Sequence, residues 1–325
     1  MNLACAKQFF DSHNDFILAA HRSPDGDTLG SCLALSRALQ SLGKHAIVAC
    51  VDAVPKYLRF LSGSDTVVSS VSKIPEAAVY IDCGDHSRAD ALEPFLEQCA
   101  FRFCIDHHGT NPKNTKDGDW VEEVGATGEL IYRLLTKMQI PIDREIAVCL
   151  FTAIATDTGN FSYSNTTSDT FRIAGELLQY GIDLPELNRI LFRTVPLNKG
   201  KLIAYTLENV TLAEENSVGI VCLNRDTLAR FSAEESDCEG LIDYVRDLAP
   251  VEIACTLRES SDGKIRGSLR SKWGADVSEI ATQFGGGGHS RAAGFTLCVP
   301  MEKAKELVLC KMVEAVRKWK ASLQS

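Results

Sequence analysis

Aspartate and histidine residues follow four separate apolar segments of the chain, and together they have the chemistry of a metal centre. Carboxylates and imidazoles without thiolates suit Mn²⁺, Mg²⁺ or Fe²⁺ better than a structural zinc site. Six ligands are more than one catalytic ion needs, whereas two ions about 3.5–4 Å apart would use them all and activate water for in-line attack on phosphorus. The alternative, unrelated helix caps and solvated acids, requires the same coincidence four times. The candidate ligands are His21, Asp25, Asp27, Asp82, His107 and Asp157.

The run Asp106-His107-His108-Gly109 directly follows the apolar stretch Phe101–Ile105, which has the composition of a buried strand. Neighbouring side chains on an extended backbone point in opposite directions. Both imidazoles can therefore serve one site only if the chain bends after the strand, or if each imidazole has its own role. The alternative is an exposed loop that happens to contain two histidines.

The second motif lies between the apolar run Phe16–Ala20 and a helix with leucines at helical spacing that ends near Gly43. His21, Asp25 and Asp27 cluster in this turn. An aspartate or threonine there could simply cap the helix. Capping explains one such residue, but it does not explain the histidine and both aspartates together.

The alternation of strands and helices over the first 190 residues predicts an α/β fold with a doubly wound, mainly parallel sheet. Short, continuous apolar runs are typical of strands buried on both faces. Sheets of this kind bind ligands at the carboxyl ends of their strands, where these aspartates and histidines fall. The predicted strands are Phe16–Ala20, Ala46–Val51, Ala77–Ile81 and Phe101–Ile105, and the predicted helices cover residues 7–15, 29–42, 56–61, 89–98, 127–138, 146–154, 168–180 and 183–192.

A proline-containing stretch, Thr194-Val195-Pro196-Leu197, predicts a linker into a second, smaller α/β domain. We therefore expect a metal-binding domain over residues 1–193, a linker over 194–200 and a substrate-binding domain over 201–325. Strands are predicted in the second domain at 218–223, 251–257, 265–271 and 293–299, and helices at 276–284 and 301–320.

Four consecutive glycines and a histidine, Gly285–His289, form the sharpest change of composition in the second half. Because glycine has no side chain, backbone N–H groups in such a loop can approach a phosphate or a nucleobase closely. Arg270 and Ser271 end the preceding predicted strand, and the arginine could clamp a phosphate with two hydrogen bonds. Substrate binding is therefore expected at Arg270, Ser271, Gly287, Gly288 and His289; the alternative is a flexible loop.

Composition excludes several classes of protein. The chain has 325 residues, of which 45% are hydrophobic and 24% charged, and its net charge of −9 argues against a nonspecific binder of duplex DNA. No apolar run approaches the ~18 residues of a membrane span, and the first residues lack the order of a signal peptide. None of the 12 cysteines forms a C-x-x-C pair, which favours reduced cysteines and a cytoplasmic location. Cys83, nearest to the motifs, is the cysteine for which oxidation would matter most.

The motifs His21-x-x-x-Asp25-x-Asp27, Asp82, Asp106-His107-His108 and Asp157 resemble those of the DHH phosphoesterase superfamily. The resemblance implies a site for two divalent ions, most often Mn²⁺, in which His21 and Asp25 hold one ion, Asp27, His107 and Asp157 mainly the other, and Asp82 bridges them. It further implies that His108 faces the scissile phosphate and that Asp106 orients a neighbouring ligand. Arg88 is expected to help neutralise the phosphate.

The Gly285–His289 run resembles the GGGH loop of the DHH-associated C-terminal domain, so the resemblance covers nearly the whole chain. In that family the second domain binds the nucleotide across a cleft from the metals. The compact two-domain layout is similar to bifunctional enzymes that trim short RNA oligomers to mononucleotides and remove the 3′-phosphate of 3′-phosphoadenosine 5′-phosphate (PAP).

Other activities stay open at the level of the sequence. Relatives with the same layout hydrolyse linear or cyclic dinucleotides, and the family II pyrophosphatases share the metal motifs. A nucleotide sensor without activity would be expected to lack some ligands, whereas all six are present. The resemblance therefore implies short oligonucleotides or nucleotides as partners and is compatible with a homodimer, while the net charge and the lack of a long apolar run argue against duplex DNA and a membrane as partners.

Overall fold

The computed structural model describes residues 2–323. The chain forms two compact units that divide between Thr194 and Val195. A helix begins at Leu197, inside the stretch that the sequence analysis assigns to a linker. Within the described residues, no helix combines the length and the apolar character needed to span a bilayer.

The first unit contains a five-stranded sheet in the order β2-β1-β3-β4-β5, with every neighbouring pair parallel. This order is that of a doubly wound sheet, because the chain extends the sheet first on one side of β1 and then on the other. The strands are β1 (Asp15–Ala19), β2 (His45–Ala49), β3 (Ala77–Ile81), β4 (Phe101–Asp106) and β5 (Asp119–Val121).

Apolar residues cover both faces of this sheet. Phe16 and Leu18 of β1 belong to the larger core, and Ile17 and Ala19 belong to a smaller core on the opposite face. A strand buried on both sides needs a continuous apolar run, which explains the sequence pattern. The helices of the unit are α1 (Leu3–Ser12), α2 (Gly26–Ser41), α3 (Glu93–Leu96), α4 (Thr127–Met138), α5 (Arg144–Asp157), α6 (Ser168–Leu178) and α7 (Leu184–Asn188), which continues as a π-helical turn over Arg189–Arg193.

Glycines allow α2 to lie very close to α5. A Cβ atom at Gly30 would stand 2.4 Å from the carbonyl oxygen of Cys149, and one at Gly26 would stand 2.3 Å from Oγ1 of Thr156. Both separations are shorter than any side-chain contact allows. The two glycines therefore let the end of α5, with Asp157, approach the start of α2.

The second unit contains a six-stranded mixed sheet in the order β10-β11-β9-β8-β7-β6. Only β7 and β8 run parallel; the other neighbours are antiparallel. One face packs on α12 and α11 through residues such as Leu269 and Val308. The strands are β6 (Thr211–Ala213), β7 (Val218–Leu223), β8 (Ile253–Glu259), β9 (Ile265–Ser271), β10 (Gly287–His289) and β11 (Ala292–Leu297), and the helices are α8 (Leu197–Glu208), α9 (Arg225–Arg230), α10 (Leu241–Arg246), α11 (Ser278–Gln283) and α12 (Met301–Ser322).

Two local predictions are wrong. The helix predicted over residues 89–98 is a 3₁₀ segment, His86–Leu92, followed by the short α3, because Asp90 has a φ of 53° that no helix continues. The glycine run predicted as a loop is partly a strand: Gly287–His289 pairs with β11 in antiparallel register.

Candidate functional site

Four elements bring the motif residues to one edge of the first sheet. His21 follows the end of β1, Asp82 comes directly after β3, and Asp106 is the last residue of β4. Because these strands are parallel, their carboxyl ends lie side by side. Asp157 arrives from another direction, as the last residue of α5.

The six side chains predicted as metal ligands form two groups. In the first group, His21 Nε2 lies 3.7 Å from Asp25 Oδ2 and 3.6 Å from Asp82 Oδ2. In the second group, His107 Nε2 lies 3.5 Å from Asp157 Oδ2 and 3.8 Å from Asp27 Oδ2. The same His107 nitrogen is 3.5 Å from Asp82 Oδ1.

Asp82 thus offers one carboxylate oxygen to each group. It is buried, and its backbone has a φ of 58°, in the left-handed region that aspartate adopts only at some cost. The conformation is held by a hydrogen bond from its backbone N–H to Ile105 O at 3.0 Å, and Thr127 Oγ1 donates to Asp82 Oδ1 at 3.0 Å. Backbone strain at the shared carboxylate is the arrangement expected where function fixes a side-chain direction.

The two imidazoles are held so that Nε2 faces the carboxylates. His21 Nδ1 lies 2.7 Å from Arg22 O, and His107 Nδ1 lies 3.1 Å from Val124 O. A carbonyl oxygen only accepts, so His107 Nδ1 carries a hydrogen and Nε2 of the neutral ring keeps its lone pair. His21 Nδ1 has both this kind of acceptor and a donor, Arg88 Nη2 at 3.1 Å, and the shorter contact to the Arg22 carbonyl favours the same tautomer. A backbone carbonyl at the second nitrogen is the usual support of a histidine that binds a metal.

Carboxylate repulsion in the second group is a further sign of a cation site. Asp27 accepts hydrogen bonds from the Thr127 and Gly128 N–H groups at the start of α4. Even so, burial, followed by repulsion from Asp82 and Asp157, raises its pKa well above the usual range. Burial raises the pKa of Asp157 to about 6. The attraction of His107 lowers this pKa only in part, and repulsion from Asp82 raises it further. Divalent cations would remove this repulsion.

The donor set and its spacing fit divalent cations. Two ligands about 2.1 Å from one ion are about 3.0–3.5 Å apart at the angles of octahedral or tetrahedral coordination. The measured separations of 3.5–3.8 Å therefore need only small side-chain rotations to reach coordination distances.

His108 belongs to a separate hydrogen-bonded chain. Its Nδ1 donates to Oδ1 of the fully buried Asp106 at 2.7 Å, and the other oxygen of Asp106 accepts from Asn111 Nδ2 at 2.7 Å. The hydrogen bond to Asp106 raises the pKa of His108, and burial opposes this only in part. Asp106 therefore orients His108, and its Oδ1 also accepts from the backbone N–H of the predicted metal ligand His107 at 2.9 Å. Asn111 was missed by the sequence analysis, because its role depends on a turn that returns it to the strand end.

Arg88, the third residue predicted to be catalytic, lies beside His21. Its Nη2 atom is 3.1 Å from His21 Nδ1, and its backbone carbonyl accepts from the Arg22 N–H at 2.7 Å. The guanidinium is therefore on the side of the first ligand group. Its contact with a phosphate stays a prediction.

Cys83 differs from expectation, because it is fully buried and burial raises the pKa of its thiol well above the usual range. The thiol is therefore poorly reactive, since oxidation requires the thiolate and access to solvent.

The predicted substrate-binding residues of the second unit lie on its sheet. His289 of β10 pairs with Ala292 of β11, which pairs with Arg270 of β9. Directly paired residues point to the same face, so His289 and Arg270 share a face about 10 Å apart across one intervening strand. Gly287 lies two residues before His289 on the same face, and there is open space where its Cβ would be.

Ser271 and Gly288 face other surroundings. Ser271 is 5% exposed, and its hydroxyl donates to Glu252 Oε1 at 3.0 Å. Gly288 has a φ of 144°, and a Cβ there would lie 2.5 Å from the carbonyl oxygen of Ala292, so only glycine fits. The structure thus gives Ser271 a contact that fixes the end of β9 rather than an open hydroxyl.

Comparison with known proteins places the fold and the motifs in one family. The DHH family N-terminal domain matches residues 15–154, and the DHHA1 domain matches residues 217–319. The chain belongs to the DHH family of phosphoesterases. It is 36% identical, over 92% of its length and 88% of the relative, to the bifunctional oligoribonuclease and PAP phosphatase NrnA of Thermus thermophilus.

Two further comparisons agree. The chain is 29% identical to the bifunctional oligoribonuclease and PAP phosphatase NrnA of Bacillus subtilis, over 88% of this chain and 90% of that protein. The crystal structure of an exopolyphosphatase-related protein from Bacteroides fragilis superposes with a TM-score of 0.88 at 26% identity, covering 99% of this chain and 97% of that one.

Proposed function

We propose that this phosphoesterase hydrolyses short RNA oligonucleotides to mononucleotides and removes the 3′-phosphate of PAP, using two divalent cations, of which Mn²⁺ is the best candidate. The names of relatives that match along nearly the whole chain support the substrates. The observation that carries the two-cation reading is Asp82, whose two oxygens face two separate ligand groups. A single-ion site would leave one of these groups without a purpose.

The residues that would hold the cations are the two groups described above, joined by Asp82. When bound, the cations would neutralise charge on the phosphoryl oxygens and lower the pKa of the attacking water. As the bond between phosphorus and the leaving oxygen breaks, that oxygen needs a proton. His108 can donate it from Nε2, because its Nδ1 is held by Asp106 and its pKa is raised.

The second unit would hold the terminal nucleotide. Arg270 and His289 supply donors on one sheet face, and the side-chain-free Gly287, two residues from His289 on the same strand, leaves room for a nucleotide to lie against the backbone. A local cationic face of this kind is compatible with the net charge of −9, because binding relies on a few fixed contacts rather than on a basic surface. The cysteines, all of them free thiols, support the cytoplasm as the proposed location.

The function can be tested with a panel of substrates. Purified protein in Mn²⁺ is expected to cleave a 5′-phosphorylated RNA dinucleotide and PAP, whereas Asp82→Asn should lose several orders of magnitude in turnover with both. Asn keeps the size of the side chain and tolerates the left-handed backbone. Asp65→Asn, at an exposed site of the same unit, is the matched control.

Other members of the panel separate the alternatives. Cleavage of a cyclic dinucleotide in preference to both proposed substrates would favour the dinucleotide phosphodiesterase alternative. Cleavage of pyrophosphate alone would leave the metal site in place and contradict the proposed role of the second unit.

A further inference from the structure

The segment that follows Asp157 contains three successive residues in the left-handed region. The φ angles are 56° at Gly159, 54° at Asn160 and 63° at Phe161. For a bulky aromatic residue this conformation is a genuine outlier, and such strain persists only where the surroundings impose it. The strained turn begins two residues after Asp157, a predicted metal ligand, so its side chains are candidates for contact with the substrate.

Hydrogen bonds fix the turn to the end of α5. The Asn160 N–H donates to Ala155 O at 2.7 Å, and the Tyr163 N–H donates to Thr158 O at 3.0 Å. Asn165 Nδ2 donates to Asp157 O at 3.2 Å. These hydrogen bonds tie the turn to the backbone of Asp157 and of the last turn of α5.

The two aromatic residues of the turn have different surroundings. Phe161 packs into the unit, with its ring 5.8 Å from that of Phe151 and stacked at 5.3 Å on that of Phe171. Tyr163 is 54% exposed, and its hydroxyl has no hydrogen-bond partner within residues 2–323. Phe161 therefore packs against the hydrophobic core of the unit, whereas Tyr163 is largely exposed to solvent.

Tyr163 is nevertheless held in place. A Cβ atom at Gly159 would stand 2.4 Å from Cε1 and Cζ of Tyr163, so the ring lies directly against the backbone of Gly159. Gly159 is two residues from Asp157. An aromatic ring thus rests against the chain close in sequence to a predicted metal ligand, and more than half of it is exposed to solvent.

We infer that Tyr163 is a stacking platform for a nucleobase of the substrate, on one of the nucleosides joined directly to the reacting phosphate. The inference rests on the proposed function and adds a specificity-determining residue in the first unit. A preplaced aromatic face suits a nucleobase because every base offers a flat π-face, and such stacking tolerates any base sequence. A ring without charge would offer little to an inorganic anion.

The inference predicts a coupling between this ring and one base. The substrates are a 5′-phosphorylated RNA dinucleotide and two analogues, each with an abasic ribose at one of the two positions. Loss of the stacked base should lower kcat/KM of the wild type by roughly 5- to 150-fold, mainly through KM, since one base–aromatic stack contributes ~1–3 kcal/mol. Tyr163→Ala should show the same loss with the intact dinucleotide and little further loss with the sensitive analogue.

Further variants separate the ring from the fold. Tyr163→Phe should retain activity, because the ring remains. Tyr163→Leu keeps an apolar side chain over Gly159 and should still lose activity, because leucine has no aromatic ring. This variant replaces Tyr163→Ala in the test if Tyr163→Ala is unstable. Tyr180→Ala, at another exposed tyrosine of the same unit, should behave as the wild type with all three substrates.

Two outcomes overturn the inference in distinguishable ways. The first outcome is that the wild type cleaves the intact dinucleotide, but removal of either base lowers kcat/KM by the same factor in the wild type and in the folded Tyr163 variants. The stacking role is then refuted and the proposed function stands. If the wild type cleaves no dinucleotide, the proposed function fails for oligonucleotides and the stacking role falls with it.

Discussion

Replacement of Asp157 by Asn should stabilise the metal-free protein and weaken its response to metal. The pKa of Asp157 is raised from 3.8 to about 6 by burial and by repulsion from Asp82. A shift of this size corresponds to about 3 kcal/mol, because each pKa unit is 1.36 kcal/mol. Partial exposure reduces the figure, so we expect about 1–3 kcal/mol of stabilisation from Asp157→Asn at pH 8.

The sign of the pH dependence follows from the same shift. A carboxyl with a raised pKa in the folded state binds more protons there than in the unfolded state, so its penalty is present above about pH 6 and disappears as the pH falls through 3.8. The stability advantage of Asp157→Asn should therefore be largest near pH 8 and vanish near pH 4.

Thermal unfolding of EDTA-treated protein, followed by circular dichroism, measures the effect. For a unit of this size 1 kcal/mol moves Tm by about 2–4 °C, so the metal-free variant should melt about 2–12 °C above the wild type. In Mn²⁺ at 100 times Kd the wild type should gain about 2.7 kcal/mol per site, and the variant much less. Asp65→Asn should leave both values unchanged. A metal-free Asp157→Asn less stable than the wild type would show that the Asp157 carboxylate does not destabilise the metal-free site, and an equal response to Mn²⁺ would show that it is not a ligand.

Two further predictions concern the support of the site. Gly30→Ala should destabilise the protein by about 1–3 kcal/mol and reduce the Tm gain from Mn²⁺, because the added Cβ would clash with the carbonyl oxygen of Cys149 and push α2 away from α5. Gly175→Ala, at a helical glycine with open space around it, is the control. Equal Tm values for the two variants would contradict the close packing of α2 on α5 as the reason for a glycine at position 30. Asn111→Ala should lower kcat by about 10- to 100-fold with little change in KM, because Asp106 loses a hydrogen-bond donor that fixes it and His108 is then less well oriented. An unchanged kcat would show that Asn111 does not help to orient His108.

The first unit could be predicted well from the sequence because its signals are local and repeated. Four apolar runs mark strands buried on both faces, and polar residues directly after them must fall at one sheet edge if the strands are parallel. The predicted helix over residues 127–138 agrees with α4, Thr127–Met138. Asp157 was included among the ligands because it also follows an apolar segment, but that segment is a helix, and its approach to the other motifs depends on the close packing of α2 and α5, which the sequence pattern does not indicate.

Features that depend on tertiary contacts could not be predicted. Strands of three residues, such as β5 and β6, carry too little pattern, and the glycine run becomes a strand because β11 offers it an edge. Ser271 was expected to contact phosphate, but the strand alternation turns its side chain inwards to Glu252. Tyr163 gave no signal either, because its support by Gly159 appears only when the turn is folded.

The proposed role of Asp82 in a two-cation phosphoesterase can be tested by measuring turnover of a 5′-phosphorylated RNA dinucleotide and of PAP in Mn²⁺, with the purified wild type and with Asp82→Asn. The wild type should hydrolyse both substrates, and the folded variant should lose both activities by several orders of magnitude. Near-normal turnover by Asp82→Asn with metal content controlled would contradict a centre in which the two oxygens of Asp82 join two ligand groups.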